Sequence, residues 1–169
     1  MIHVCSLARL HEIVEATGAS HVVTLITRDI DIERPPGVLA DNHLWLEMHD
    51  ISTPLDGYIL PGRHHIEELL SFVRRWDRAK PMVVHCHAGI SRSSAAAFVA
   101  ACALAPHRDE REIALAMRQA SPTALPNLRI VSLADQALAR DGRMVAAIKA
   151  MSPYSPCFSG ALPFRVAIG

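Results

Sequence analysis

The chain reads as an α/β domain, with a central, mostly parallel sheet of about four to five strands flanked by helices on both faces. Three observations predict this. Short β-rich runs alternate with helix-patterned segments early in the chain, and helices cluster late. The 169 residues are 50% apolar and 20% charged, the balance of an ordinary globular domain with a proper core. The loop His85-Cys86-His87-Ala88-Gly89-Ile90-Ser91-Arg92-Ser93 lies between an apolar run and an alanine-rich run, so it joins a buried strand to a helix.

The elements follow in order. Ile2 to Leu7 predicts a first strand, and Arg9 to Thr17 a short helix stopped by Gly18. His21 to Ile26 is β-rich and predicts a second strand. Thr27 to Asn42 is polar, contains Pro35-Pro36-Gly37, and predicts a loop. His43 to His49 alternates Leu44, Leu46 and Met48, the pattern of a third strand. Asp50 to Leu60, with Pro54 and Gly57, is a second loop.

Pro61 to Arg78 predicts the clearest helix, because Ile66, Leu69, Leu70, Val73 and Trp76 share one face and Pro61 suits a first turn. A strand over Met82 to His85, the loop, and a helix over Arg92 to Ala105 come next. Asp109 followed by acids caps a helix to about Ala120, and Asn127 caps another to about Arg140. Asp141-Gly142 turns the chain into a last helix from Arg143 to Met151. These elements predict one domain over residues 1–151. Residues 152–169, with three prolines, form a tail expected to pack through Tyr154, Phe158, Phe164 and Ile168.

Composition excludes several classes. Lys plus Arg equals Asp plus Glu at 17 each, so there is no basic footprint for nucleic acid and no polybasic membrane anchor. No apolar run approaches the roughly 20 residues that span a bilayer. The N-terminus lacks the basic and apolar regions of a signal peptide, which points to a cytoplasmic protein. Cys5, Cys86, Cys102 and Cys157 show no CxxC spacing and are expected to stay reduced there.

The chemistry concentrates at Cys86. Set just before a helix, its sulfur faces unpaired N–H groups and the positive helix end. Arg92 adds a full positive charge, and Ser93 can donate a hydrogen bond to the sulfur. All three favour the nucleophilic thiolate. The same loop suits a phosphate. The amides of His87, Ala88, Gly89, Ile90, Ser91 and Arg92 form a concave nest, and the Arg92 guanidinium can grip two oxygens at once. Gly89 lets the backbone curl without a Cβ. Attack by Cys86 would give a phosphocysteine that water then hydrolyses. A leaving alkoxide or phenoxide needs a proton, and Asp50 is the favoured general acid. It lies where a strand opens into a loop, and parallel strands bring such ends to one sheet edge. Asp56, in the same loop, is the rival.

Plainer readings compete. Ten histidines raise the question of a metal, but His64 and His65 are expected to diverge and no second cysteine stands at ligand spacing, so no metal is expected. His85 is expected to point into the core and to hydrogen-bond backbone that supports the loop, whereas His87 lines the mouth. Asn127 reads first as a helix cap and second as a brace for the loop. Cys5 reads first as packing and second as a disulfide partner for Cys86. Cys102 reads as core. The Arg74-Arg75 and Arg108–Arg111 groups read as solvated helix faces.

With these residues in view, the chain resembles the cysteine-dependent protein tyrosine and dual-specificity phosphatases. Val83-Val84-His85-Cys86-His87-Ala88-Gly89-Ile90-Ser91-Arg92-Ser93 matches their V-H-C-x-x-G-x-x-R-S pattern. Leu46-Glu47-Met48-His49-Asp50 resembles the strand that ends in the acid. Ser121-Pro122 through Pro126-Asn127 resembles the segment after the loop helix. The whole chain is similar to a group of small bacterial predicted tyrosine phosphatases. The resemblance implies a phosphatase-like fold, with Cys86 as nucleophile, Arg92 as phosphate clamp, Ser93 as partner of the leaving thiolate and Asp50 as acid. It implies a hydrolase of phosphotyrosine monoesters, with phosphoserine and phosphothreonine open, that needs no cofactor. Its ligands would be a phosphorylated protein or peptide, and phosphate or vanadate. The loop lacks the paired lysines of phosphoinositide phosphatases, and the gap from Asp50 to Cys86 is a few residues longer than is usual. Two alternatives are a binding module that reads phosphotyrosine without turnover, and a phosphatase of small-molecule or lipid phosphates.

Overall fold

The computed structural model describes residues 1–151, 153–156 and 161–168. Among these residues, five strands form one sheet: β1 (Ile2–Ser6), β2 (His21–Thr24), β3 (His43–Trp45), β4 (Met82–Cys86) and β5 (Phe164–Val166). Their order is β3-β2-β4-β1-β5. β1 and β2 both pair with β4 in parallel, β3 pairs with β2 in parallel, and β5 alone runs antiparallel, against β1. The α-helices of the described residues are α1 (Leu10–Thr17), α2 (Arg63–Arg75), α3 (Arg92–Leu104), α4 (Glu110–Ala120), α5 (Leu128–Ala137) and α6 (Arg143–Lys149). The α/β class and the mostly parallel sheet are as the sequence predicts.

The two faces are unequal. One carries α1, packed over Cys5, Val22 and Val83. The other carries the main core, where Ile2, Val4, Val23, Met82 and Val84 meet α2 through α6. This division follows from strand pleat, since alternate residues of each central strand point to opposite faces. α3 lies in the middle of the larger layer. Ser93 to Cys102 are all buried. Alanine at five of those ten positions lets the helix approach sheet and neighbouring helices on every side, as the solidly apolar pattern requires.

Several boundaries differ from expectation for local reasons. β3 ends at Trp45 and not His49. Leu46 and Met48 are still buried, but the Met48 carbonyl accepts from the Arg92 guanidinium and not from a neighbouring strand. α2 starts at Arg63, with the Gly62 N–H donating to His65 Nδ1, and ends at Arg75. Its last turn is cut by Trp76 in an extended conformation and Arg78 at φ 63°. α5 ends at Ala137, just before Ala139 at φ 52°. Beyond it, Arg140 turns inward. The guanidinium donates to Glu110 Oε1 at 2.9 Å and to the carbonyls of Cys102 and Pro106. Glu110 is therefore buried and does not belong to the solvated face expected of its charge group, although Arg111 does. The tail supplies β5, with Phe164 and Ile168 in the core and Tyr154 exposed. The packing expected of Phe158 lies outside the described residues.

Candidate active site

Because β1 to β4 run parallel, their C-terminal ends share one edge of the sheet. The nucleophile loop leaves that edge between β4 and α3. A cleft of about 650 Å³ opens there, lined by Cys86, His87, Ala88, Ile90, Ser91 and Arg92 from the loop. Asp50 and Ser52 close it on one side, and Leu125 to Leu128 on another.

Backbone anchoring shapes the loop. The His87 carbonyl accepts from Leu7 N–H at 3.1 Å, and Ala88 from Ala161 N–H at 2.9 Å. The Ile90 carbonyl accepts from Leu125 N–H at 3.0 Å, and Ser91 from Asn127 N–H at 3.3 Å. A trans peptide points its C=O and N–H in opposite directions. Pulling these carbonyls outward therefore turns the N–H groups of Ala88, Gly89, Ser91 and Arg92 toward the interior of the loop. Among the described residues, the N–H groups of Ala88 to Ser91 donate to no backbone carbonyl. Gly89 sits at φ 76°, and a Cβ there would stand 2.8 Å from the carbonyl carbon of Cys5 and the nitrogen of Ser6. Both the left-handed backbone and the contact with the end of β1 require glycine.

Cys86 is buried at the floor, with Sγ 3.1 Å from Ser93 Oγ. Arg92 donates from Nη1 to the Met48 carbonyl at 2.9 Å. Among the described residues its buried Nε has no partner, so one edge of the guanidinium, carrying Nε and Nη2, is open to meet two oxygens of an anion. Asp50 faces the loop across the cleft. Its Oδ1 accepts from Ser91 Oγ at 2.7 Å and from Asn127 Nδ2 at 2.8 Å. Asn127 caps α5, with Oδ1 accepting from the N–H groups of Arg129 and Ile130. It meets the nucleophile loop through its backbone N–H, whereas its side-chain amide donates to Asp50. Asp56 is exposed and does not line the cleft.

His85 is fully buried, and its Nε2 lies 2.7 Å from Thr24 Oγ1. Its partner is thus a side-chain hydroxyl on β2, not the backbone expected. Thr24 Oγ1 also meets His43 Nε2 at 2.8 Å, a link that the sequence does not signal. Burial, and then the charge of His43, push the His85 imidazole down to about 3. Burial lowers His43 and His65 in the same direction. An unfolded histidine takes up a proton near pH 6.5, but these do not until more acidic conditions. Stability is therefore expected to be full above pH 6.5 and to fall as pH drops from there toward 3. His85→Asn should flatten that decline, read from denaturant midpoints at pH 7 and pH 5. An unchanged slope would show that His85 carries none of it.

The remaining histidines and cysteines fall elsewhere. The rings of His64 and His65 do not diverge; their centroids are 3.7 Å apart. Cys5 belongs to the core layer under α1, whereas Cys86 belongs to the opposite layer. Strand pleat thus points the two side chains to opposite faces, against direct pairing. Burial pushes the thiols of Cys5 and Cys102 up to about 12, so both stay protonated. The sequence places Ser91 in the cradle through its amide but does not signal that its hydroxyl donates to Asp50, and it does not signal Arg118. The latter donates to the carbonyls of Ser121, Pro122, Ala124 and Met151 and so holds the turn before the Leu125 wall.

Residues 56–127 match the protein-tyrosine phosphatase family model, a stretch that includes Cys86, Arg92 and Asn127 but not Asp50. Among solved structures, the fold is similar to that of DUSP15, with a TM-score of 0.65, 14% identity, and coverage of 91% of this chain and 94% of that one. Human DUSP28 is similar at a TM-score of 0.63 and 20% identity, covering 82% of this chain and 92% of its own. A mouse protein assigned as a dual specificity phosphatase and crystallised with zinc tungstate gives 0.60 and 20%, with 84% of each chain covered. No curated protein sequence matches the chain. In fold and in loop signature, the chain resembles the cysteine-dependent protein tyrosine and dual-specificity phosphatases.

Proposed function

We propose that the protein hydrolyses phosphotyrosine monoesters of proteins or peptides through a phosphocysteine intermediate. The observation that supports this reading is the buried Cys86 sulfur in a loop whose carbonyls are anchored outward, beside the unpartnered Arg92 Nε. The thiolate attacks phosphorus, the bond to the ester oxygen breaks, and Asp50 gives its proton to that oxygen. Water then attacks the phosphocysteine and yields its proton to Asp50. The phosphorus–sulfur bond breaks, and the Ser93 hydroxyl donates to the departing thiolate. Both transition states spread charge over the equatorial oxygens, which the amides and Arg92 receive.

The rim supports an aryl ester. Ile90, Leu125, Pro126 and Leu128 present apolar surface, and among the described residues Arg92 is the one Lys or Arg lining the cleft. An aromatic ring packs favourably on such a wall, whereas a polyphosphorylated inositol ring would meet the Asp50 carboxylate and no second cation.

The test is a panel of phosphotyrosyl, phosphoseryl, phosphothreonyl and phosphoinositide substrates, with vanadate and a chelator as additions. Hydrolysis is expected to favour the phosphotyrosyl substrate, to stop with vanadate and to ignore the chelator. Preference for phosphoinositide would overturn the substrate class. Tight phosphopeptide binding without turnover would replace the enzyme by a binding module.

A further inference from the structure

The C-terminal segment reaches the nucleophile loop. β5 pairs antiparallel with β1, with Phe164 opposite Val4 and Val166 opposite Ile2. Carried back three residues, that register sets Ala161 beside Leu7, at the catalytic edge of the sheet. There, Leu7 and Ala161 donate to the adjacent carbonyls of His87 and Ala88. Ala161 is buried, and Phe164, Val166 and Ile168 beyond it fix the segment in the core.

The Ala88–Gly89 peptide is the plane most in need of such a hold. Glycine tolerates both signs of φ, so a plane next to it rotates more freely than one between two ordinary residues. Rotation would turn the Gly89 N–H out of the cradle. Ala88 itself offers only a methyl group, with no polar side chain to prevent this.

We propose that the backbone amide of Ala161 is a positioning group of the active site. It clamps the Ala88 carbonyl outward so that the Gly89 N–H faces the bound oxyanion. The tail is thereby part of the catalytic machinery and not only a cover for the sheet. This inference rests on the phosphatase reading above, since it needs an oxyanion in the loop.

Two measurements test it. Ala161→Pro removes the N–H, and Leu162→Pro, at an exposed neighbour whose N–H makes no hydrogen bond among the described residues, controls for proline itself. Ala161→Pro is expected to weaken vanadate inhibition about fivefold, in line with ~1 kcal/mol for one hydrogen bond, and to lower kcat, with little change in melting temperature. Leu162→Pro should leave vanadate affinity unaltered. Wild-type affinity in a folded Ala161→Pro variant would overturn the clamp. The second measurement needs no variant. Coupling is reciprocal, so vanadate should slow hydrogen exchange at the Ala161 amide of the wild-type chain. If vanadate binds and that exchange is unchanged, the clamp is wrong whatever the variant does. A wild-type chain that binds no vanadate sinks the phosphatase reading, and the clamp with it.

Discussion

Cys86→Ser is expected to lower turnover of an aryl phosphate by at least ~10⁴-fold, and Arg92→Ala by ~10³-fold. The two losses have different origins. Serine keeps the shape of the site, but its hydroxyl has no base positioned to activate it, since His85 is engaged with Thr24 and fully buried. Cys86→Ser should therefore still bind vanadate or a phosphopeptide. Arg92→Ala removes the guanidinium that lines the cleft and also frees the Met48 carbonyl, which that guanidinium holds just before Asp50. It should lose anion binding and rate together. Arg92→Lys should not rescue it, because one ammonium cannot serve Met48 and two phosphate oxygens at once. Steady-state kinetics paired with vanadate titration of each variant separates the two effects. Full activity in Cys86→Ser would end the phosphocysteine mechanism.

Asp50→Asn is expected to cost ~10²–10³-fold with a poor leaving group such as an alkoxide, and little with a good one such as nitrophenoxide. The geometry explains why this carboxyl suits the task. Asn127 Nδ2 can only donate, and Ser91 Oγ donates to the same oxygen, so Oδ1 is kept as the acceptor. A proton on Asp50 is then carried by Oδ2, the oxygen left for the substrate. Asn127→Ala should reproduce part of the loss with the same dependence on leaving group, since it loosens the acid without removing it. Asp56→Asn, at an exposed position off the cleft, should be silent in the same series. A leaving-group dependence that appears in Asp56→Asn and not in Asp50→Asn would transfer the role.

Much of this arrangement was legible in the chain because its signals are local. The nucleophile loop is a run of consecutive residues, and the apolar stripe of α2 and the caps at Asp109 and Asn127 are short-range patterns. What escaped depends on distant partners. The alternation at Leu44, Leu46 and Met48 extended β3 too far, because burial continues after the ladder stops and Arg92 takes over the carbonyl. Glu110 looked solvated because its partner, Arg140, lies beyond another helix. β5 is only three residues among prolines, too short to show a period, and its pairing with β1 joins opposite ends of the sequence. Asn127 resembled a plain cap because a cap uses only its oxygen, and nothing nearby in the chain announces where its nitrogen goes.

The burial of α3 on every side has a consequence for how the protein spends its flexibility. Most helices that present a charge to a ligand lie on a surface and can tilt as the ligand changes. This one is buried from Ser93 to Cys102, and its own small side chains bring its neighbours close, so the start of the helix is held in place. Adaptation must then fall to the acid side of the cleft, where the chain from Ser52 to Ile59 is exposed or only partly covered. Variants that broaden the range of accepted phosphates are therefore expected to arise in that loop, while the alanines of the helix admit almost no change.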